Sequence, residues 1–134
     1  MRPSELLAAL HTAEKSARAP FRLPIDRVFS VDGFGTVVTG TLIDGCIAAG
    51  EEAALLPRGR ACRVRNLQVH GRDVEAACAG QRVAVNLSGI RKENVCRGDV
   101  LCAPDSLCPT RMLDVRLQNL HDSKRTIESG SRLH

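Results

Sequence analysis

Few residues in this sequence have the types and spacings that covalent chemistry needs. The histidines at 11, 70, 121 and 134 are scattered over a helix, a strand end, a loop and the terminus. No serine sits in a Gly-x-Ser-x-Gly turn that would expose a nucleophile. Cysteines at 46, 62, 78, 96, 102 and 108 include no Cys-x-x-Cys. A zinc knuckle or ribbon, which needs two thiolates on one turn, is therefore not expected. Met1-Arg2-Pro3 leads into no signal-peptide core, so the cysteines are expected to be reduced cytosolic thiols, several of them buried as small hydrophobes. Gly33-Phe34-Gly35 with Gly40 has the glycine density of a phosphate loop but no Gly-Lys-Ser/Thr ending. β-Branched Thr36-Val37-Val38-Thr39 follows where a dinucleotide loop would need a helix, which assigns those glycines to a tight turn and a bulge. The chain is expected to have no catalytic residues and no metal.

What remains is recognition by charge. Nineteen basic and fifteen acidic residues give +4, and the basic set is overwhelmingly arginine. Residues 58–100 hold nine basic and four acidic groups, a local +5, so the rest of the chain is slightly acidic. Arginine suits fixed, bidentate contacts with phosphate or carboxylate. A basic face toward RNA or another anion is one reading, and a solvated surface is the other. Three Phe with no Tyr or Trp leave little for stacking bases, which excludes an aromatic platform for single strands. Asp26-Arg27 stands at the start of a strand, where alternation sends neighbours to opposite faces. Both can reach one pocket only at a strand end or a bulge. Arg82 faces away from Val83, Val85 and Leu87.

These side chains need a scaffold, and the pattern supplies one. Ser4 can cap a helix with the stripe Leu6, Leu7, Leu10, Ala13 and Ala17, which Pro20 stops. From Phe21 the period shortens to β runs bounded by glycine. Pro24–Val31 reaches Asp32-Gly33, Thr36–Ile43 reaches Asp44-Gly45, and Glu51–Leu56, Ala61–His70, Gln81–Ser88 and Asp99–Ala103 follow. Short strands at this spacing predict a mainly β fold, a small closed antiparallel β-barrel over 20–105. Pro104-Asp105-Ser106 and Pro109 mark a linker, and Arg111–Leu120 reads as one further strand with Leu113, Val115 and Leu117 on one face. One strand makes no core alone. No apolar run approaches the ~18 residues of a membrane span.

Pro20 to Val31, then Gly33 to Thr41, resembles the opening of domain 2 of translational GTPases of the elongation factor Tu type. Gly50-Glu51, the run Ala79-Gly80-Gln81-Arg82-Val83-Ala84-Val85-Asn86-Leu87 and Arg97-Gly98-Asp99-Val100-Leu101 follow in the family's order. Within the family, Ile25-Asp26-Arg27, Gly80-Gln81-Arg82 and Arg63-Val64-Arg65 resemble the selenocysteine-specific (SelB-type) factors. Elongation factor Tu has acidic residues at the positions of Asp26 and Arg27, and Asn at that of Arg82.

The resemblance implies residues 1–19 as the end of a GTPase domain, 20–105 as domain 2 and 106–134 as a linker with the incomplete start of domain 3. It implies a barrel that receives the selenocysteinyl 3′ end of tRNA for delivery to the ribosome, in the cytoplasm. Asp26, Arg27 and Arg82 would form the aminoacyl pocket, and Arg63, Arg65 and Phe34 would be further tRNA contacts. A selenol is more acidic than a thiol, so at neutral pH the two guanidinium groups would favour a selenolate over serine's neutral hydroxyl. If about 3–5 kcal/mol survives screening, discrimination is about 10²–10⁴-fold. GTP and Mg²⁺ are expected only in a GTPase domain, since GxxxxGK[ST] and Asn-Lys-x-Asp do not occur here. A messenger RNA hairpin would be bound only through C-terminal domains. The edge of the Arg111–Leu120 strand is expected to pair with a second copy or to pack back on the barrel. Domain 2 of another elongation factor Tu-type GTPase and a non-catalytic protein-interaction barrel are the alternatives.

Overall fold

The computed structural model describes residues 19–133, so the expected helix before Pro20 lies outside the described residues. Nine strands follow in chain order: β1 Arg22–Val31, β2 Gly35–Thr41, β3 Cys46–Ala48, β4 Glu52–Leu56, β5 Arg60–Val69, β6 Arg72–Val74, β7 Ala76–Cys78, β8 Arg82–Ser88 and β9 Val100–Cys102. A 3₁₀ turn, Lys92–Asn94, lies between β8 and β9. The main sheet runs β4-β9-β1-β2-β8-β5, and β4 also pairs with β5. Six antiparallel strands therefore close on themselves and leave no free edge among them. β6 extends β5 as a hairpin, and β3 with β7 makes a separate two-stranded ribbon.

Closure follows from alternation. Leu23 and Ile25 of β1, Val38 of β2, Leu55 of β4, Val64 and Leu67 of β5, Val83, Val85 and Leu87 of β8 and Leu101 of β9 all point inward and are buried. Ile47 and Ala77 from the ribbon join the same core. The strand expected at Arg111–Leu120 is not formed. Met112, Leu113, Val115, Leu117 and Leu120 are 53–86% exposed, so this stretch does not pack back on the barrel either. A lone strand has no ladder to join on a barrel whose six strands are already paired.

The cysteines divide into three kinds. Cys62 and Cys102 are buried thiols, as expected, and Cys96 and Cys108 are exposed thiols. Cys46 and Cys78 correct the reading of a fully reduced set, because they form a disulfide. They are 32 residues apart in the chain, and only the β3–β7 register makes them direct partners. Burial pushes the Cys62 thiol up to about 11, helped by neighbouring Cys102.

Candidate aminoacyl and RNA-end site

The site begins with an irregularity in β1. Its register against β2 runs Ile25↔Gly40 and then Arg27↔Thr39, so Asp26 is an extra residue. A bulge of this kind resets the alternation. Ile25 points into the core, and two residues later Arg27, which regular alternation would also bury, is exposed together with Phe29 and Val31. The backbones are tight here. A Cβ on Gly40 would lie 2.1 Å from the Pro24 carbonyl oxygen, so only glycine fits opposite the bulge.

The bulge carries the Asp26 carboxylate to the outer face. Thr39 Oγ1 donates to Asp26 Oδ1 at 2.8 Å. Arg82, at the start of β8 and in register with Thr41, donates through Nη1 to Oδ2 at 2.6 Å and through Nη2 to Oδ1 at 2.9 Å. These hydrogen bonds, Arg82 first and Thr39 next, hold the Asp26 carboxyl down at about 2. The same pair raises Arg82 above its ordinary value.

The Arg27 side chain is exposed and makes no hydrogen bond or ion pair with any described residue, although its charge helps to lower Asp26. It borders a shallow groove shared by Asp26, Val28, Phe29, Lys92, Val95 and Arg97. Sequence reading placed Arg27 and Arg82 as equal partners for an anion. The structure instead commits Arg82 to Asp26 and sets Arg27 beside two further cations, Lys92 and Arg97. Those two were missed because they lie 65 and 70 positions on, in the 3₁₀ turn and in the tight turn before β9. The basic excess of residues 58–100 was their one signal.

Along the same outer face runs a hollow of about 300 Å³, lined by Phe29, Val31, Phe34, Val37, Ala84, Asn86, Asn66, Gln68 and Asp73. Its floor is set by register, since Phe29 opposes Val37, Val37 opposes Asn86 and Asn86 opposes Asn66. Asn86 is 7% exposed, and its side-chain carbonyl oxygen has no hydrogen-bond partner among the described residues. A buried acceptor of this kind favours a ligand that brings a donor. Asn66 and Gln68 both donate to Asp73 Oδ1, at 3.1 and 2.9 Å, and fix the far wall.

The remaining expected contacts separate. Phe34 is 57% exposed and lines the hollow. Arg65, at a second bulge between Val64 and Asn66, borders a neighbouring depression with Phe34, Ser88 and Lys92. Arg63 faces elsewhere, paired with Glu52 at 3.5 Å and lining a cleft with Pro104 and Asp105. Among the described residues no group of His, Cys, Asp or Glu converges to hold a metal. Gly33-Phe34-Gly35 is a hairpin turn with a strand behind it, so it gives a nucleotide phosphate no helix end. No helix among the described residues is long and apolar enough to cross a membrane.

The sequence matches the family described as Elongation factor Tu domain 2 over residues 35–102. A selenocysteine-specific elongation factor from Desulfomicrobium baculatum is 46% identical over 114 residues, which are 85% of this chain and 18% of that protein. An elongation factor 1-alpha from Pyrobaculum arsenaticum is 39% identical over 103 residues, 77% of this chain and 23% of that protein. Among solved structures, the apo form of translation elongation factor SelB from Methanococcus maripaludis aligns with a TM-score of 0.64 at 33% identity, over 76% of this chain and 23% of that one. A bacterial selenocysteine-specific elongation factor EF-Sec gives 0.64 at 32%, over 75% and 18%. The chain thus spans about a fifth of the length of these relatives.

Proposed function

From a chain that belongs to the elongation factor Tu domain 2 family, we propose a module that holds the selenocysteinyl 3′ end of a tRNA for delivery to the ribosome. The observation that carries the reading is the split charge at the bulge. Asp26 neutralises and fixes Arg82, while Arg27 stays exposed and unpaired among the described residues.

A selenolate is held by Arg27 in this reading. Arg82 contributes the N–H groups that its two bonds to Asp26 leave over, since a guanidinium has five. Asp26 is a positioning residue that keeps those donors aimed. The terminal nucleoside lies in the hollow between Phe29, Val31, Phe34 and Val37, and brings a donor to the Asn86 carbonyl. Backbone phosphates meet Lys92 and Arg97. A neutral serine would leave Arg27 partly desolvated and uncompensated, so rejection adds to lost attraction. GTP and Mg²⁺, with their chemistry, belong to other domains of such a factor. Residues 1–19 and 106–134 belong, on the same reading, to the domains that flank the barrel.

Fluorescence titration with an acceptor-end RNA mimic tests the RNA part. Lys92→Ala and Arg97→Ala should each lower the salt-dependence slope of binding by about 1 per lost phosphate contact. An unchanged slope in both variants would remove the phosphate track from the account.

A further inference from the structure

We propose that Cys46 and Cys78 form a reversible thiol–disulfide site, opened by dithiol reductants, that sets how firmly Arg82 is seated. The two residues are Cα partners at the end of the β3–β7 ribbon, 4.0 Å apart. Ile47 and Ala77, one position along each strand, point into the core. Alternation therefore turns both sulfurs outward, and Cys78 is exposed while Cys46 is half-buried. An accessible disulfide between outward-facing residues is open to exchange in a way that a core disulfide is not.

The exchange balances without further reagents. One thiolate of the dithiol attacks Cys78 Sγ, the Cys46–Cys78 bond breaks, and Cys46 leaves as a thiolate. The reductant's second thiolate then attacks its own partner sulfur in the mixed disulfide and releases Cys78. Two electrons pass to the protein, the two thiol protons end on Cys46 and Cys78, and the reductant departs as its disulfide.

The ribbon is wired to the start of β8. Gln81 Oε1 accepts from the Cys78 amide at 2.8 Å, and the Gln81 amide donates to the Cys78 carbonyl at 3.2 Å. Ala79 N–H donates to Gly45 O at 2.8 Å, Gly80 N–H to Leu42 O at 2.8 Å, and Leu42 N–H to Gln81 O at 2.9 Å. Arg82 is the next residue. The crosslink removes the freedom of a ribbon only three residues long on each side, a pairing that is marginal unaided. Opening it loosens the frame from which Arg82 reaches Asp26. A consequence for RNA binding rests on the function proposed above; the test does not use RNA.

The full 134-residue chain, with Cys96→Ser and Cys108→Ser to remove the exposed thiols, is equilibrated in graded mixtures of reduced and oxidised dithiothreitol. Alkylation with mass readout should show Cys46 and Cys78 becoming reactive together, in one two-electron transition. In the same samples the Asp26 carboxyl, followed by carbon NMR, should titrate near its low value when oxidised and move up toward an ordinary carboxylate when reduced. A Cys46→Ser/Cys78→Ser variant should match the reduced protein. Independent reactivity of the two cysteines, or reduced thiols in every mixture, would overturn the site. A clean redox transition with an unmoved Asp26 would overturn the link to Arg82 and leave a simple staple.

Discussion

The Asp26 carboxylate and the Arg82 guanidinium, 56 residues apart in the chain, meet through two hydrogen bonds of 2.6 and 2.9 Å on the outside of the barrel. Neither group is deeply buried, so solvent screens the pair and its main effect is geometric. It fixes one arginine and, of the two expected to share an anion, leaves Arg27 without a carboxylate partner among the described residues.

That pairing predicts a distinctive titration. The Asp26 carboxyl should have its midpoint at about 2 rather than the ordinary 3.8, and Arg82→Ala should return it most of the way, with Thr39 holding the remainder. Because the folded value lies below the unfolded one, the stability from the pair is complete above 3.8 and is lost as pH falls toward 2. Chemical denaturation should therefore find Arg82→Ala less stable than the parent at pH 6, with the gap mostly closed at pH 2 and gone below it. A gap at pH 2 as large as that at pH 6 would assign the loss to packing instead.

Gly40→Ala should disturb the bulge itself. The added Cβ would fall on the Pro24 carbonyl oxygen, and the expected loss is at least ~1–3 kcal/mol by urea denaturation. The Asp26 carboxyl should shift upward in the same variant, because the bulge aims it. Unchanged stability would mean that the two strands can move apart without cost.

The barrel and the segment after it should respond oppositely to truncation. Leu55→Ala removes a fully buried side chain and should cost ~2–5 kcal/mol. Leu113→Ala, at a residue 72% exposed, should stay within ~0.5 kcal/mol of the parent. A large loss at Leu113 would show that the C-terminal stretch packs on the barrel in solution.

The barrel was legible because its strands advertise themselves. Thr36-Val37-Val38-Thr39 is β-branched and its run is bounded by the turn glycines Gly33 and Gly45, and Val83, Val85 and Leu87 alternate with polar residues. The three-residue strands β3, β6 and β7 were not legible, since three residues hold too few alternations to read, whereas the equally short β9 was found from the turn residues that precede it. Period-2 logic set Asp26 and Arg27 on opposite faces, and it could name a bulge as the way round that, but only the register with Gly40 shows one. The disulfide and the nearness of Lys92 and Arg97 to Arg27 come from strand pairing across long separations, on which local sequence is silent. Arg111–Leu120 misled in the other direction. Its alternation is real, yet a strand exists only with a partner.

The most direct test of the account is to titrate the chain with a 3′-aminoacylated acceptor-stem mimic carrying selenocysteine, cysteine or serine, across pH, with and without Arg27→Ala. With Arg82 committed to Asp26, one full charge-assisted contact remains, so the preference for selenocysteine over serine should be roughly 10- to 100-fold. It should fade as pH falls through the selenol pKa and disappear in Arg27→Ala. Equal binding of all three at every pH would contradict the anion pocket and leave a barrel that reads only the RNA end.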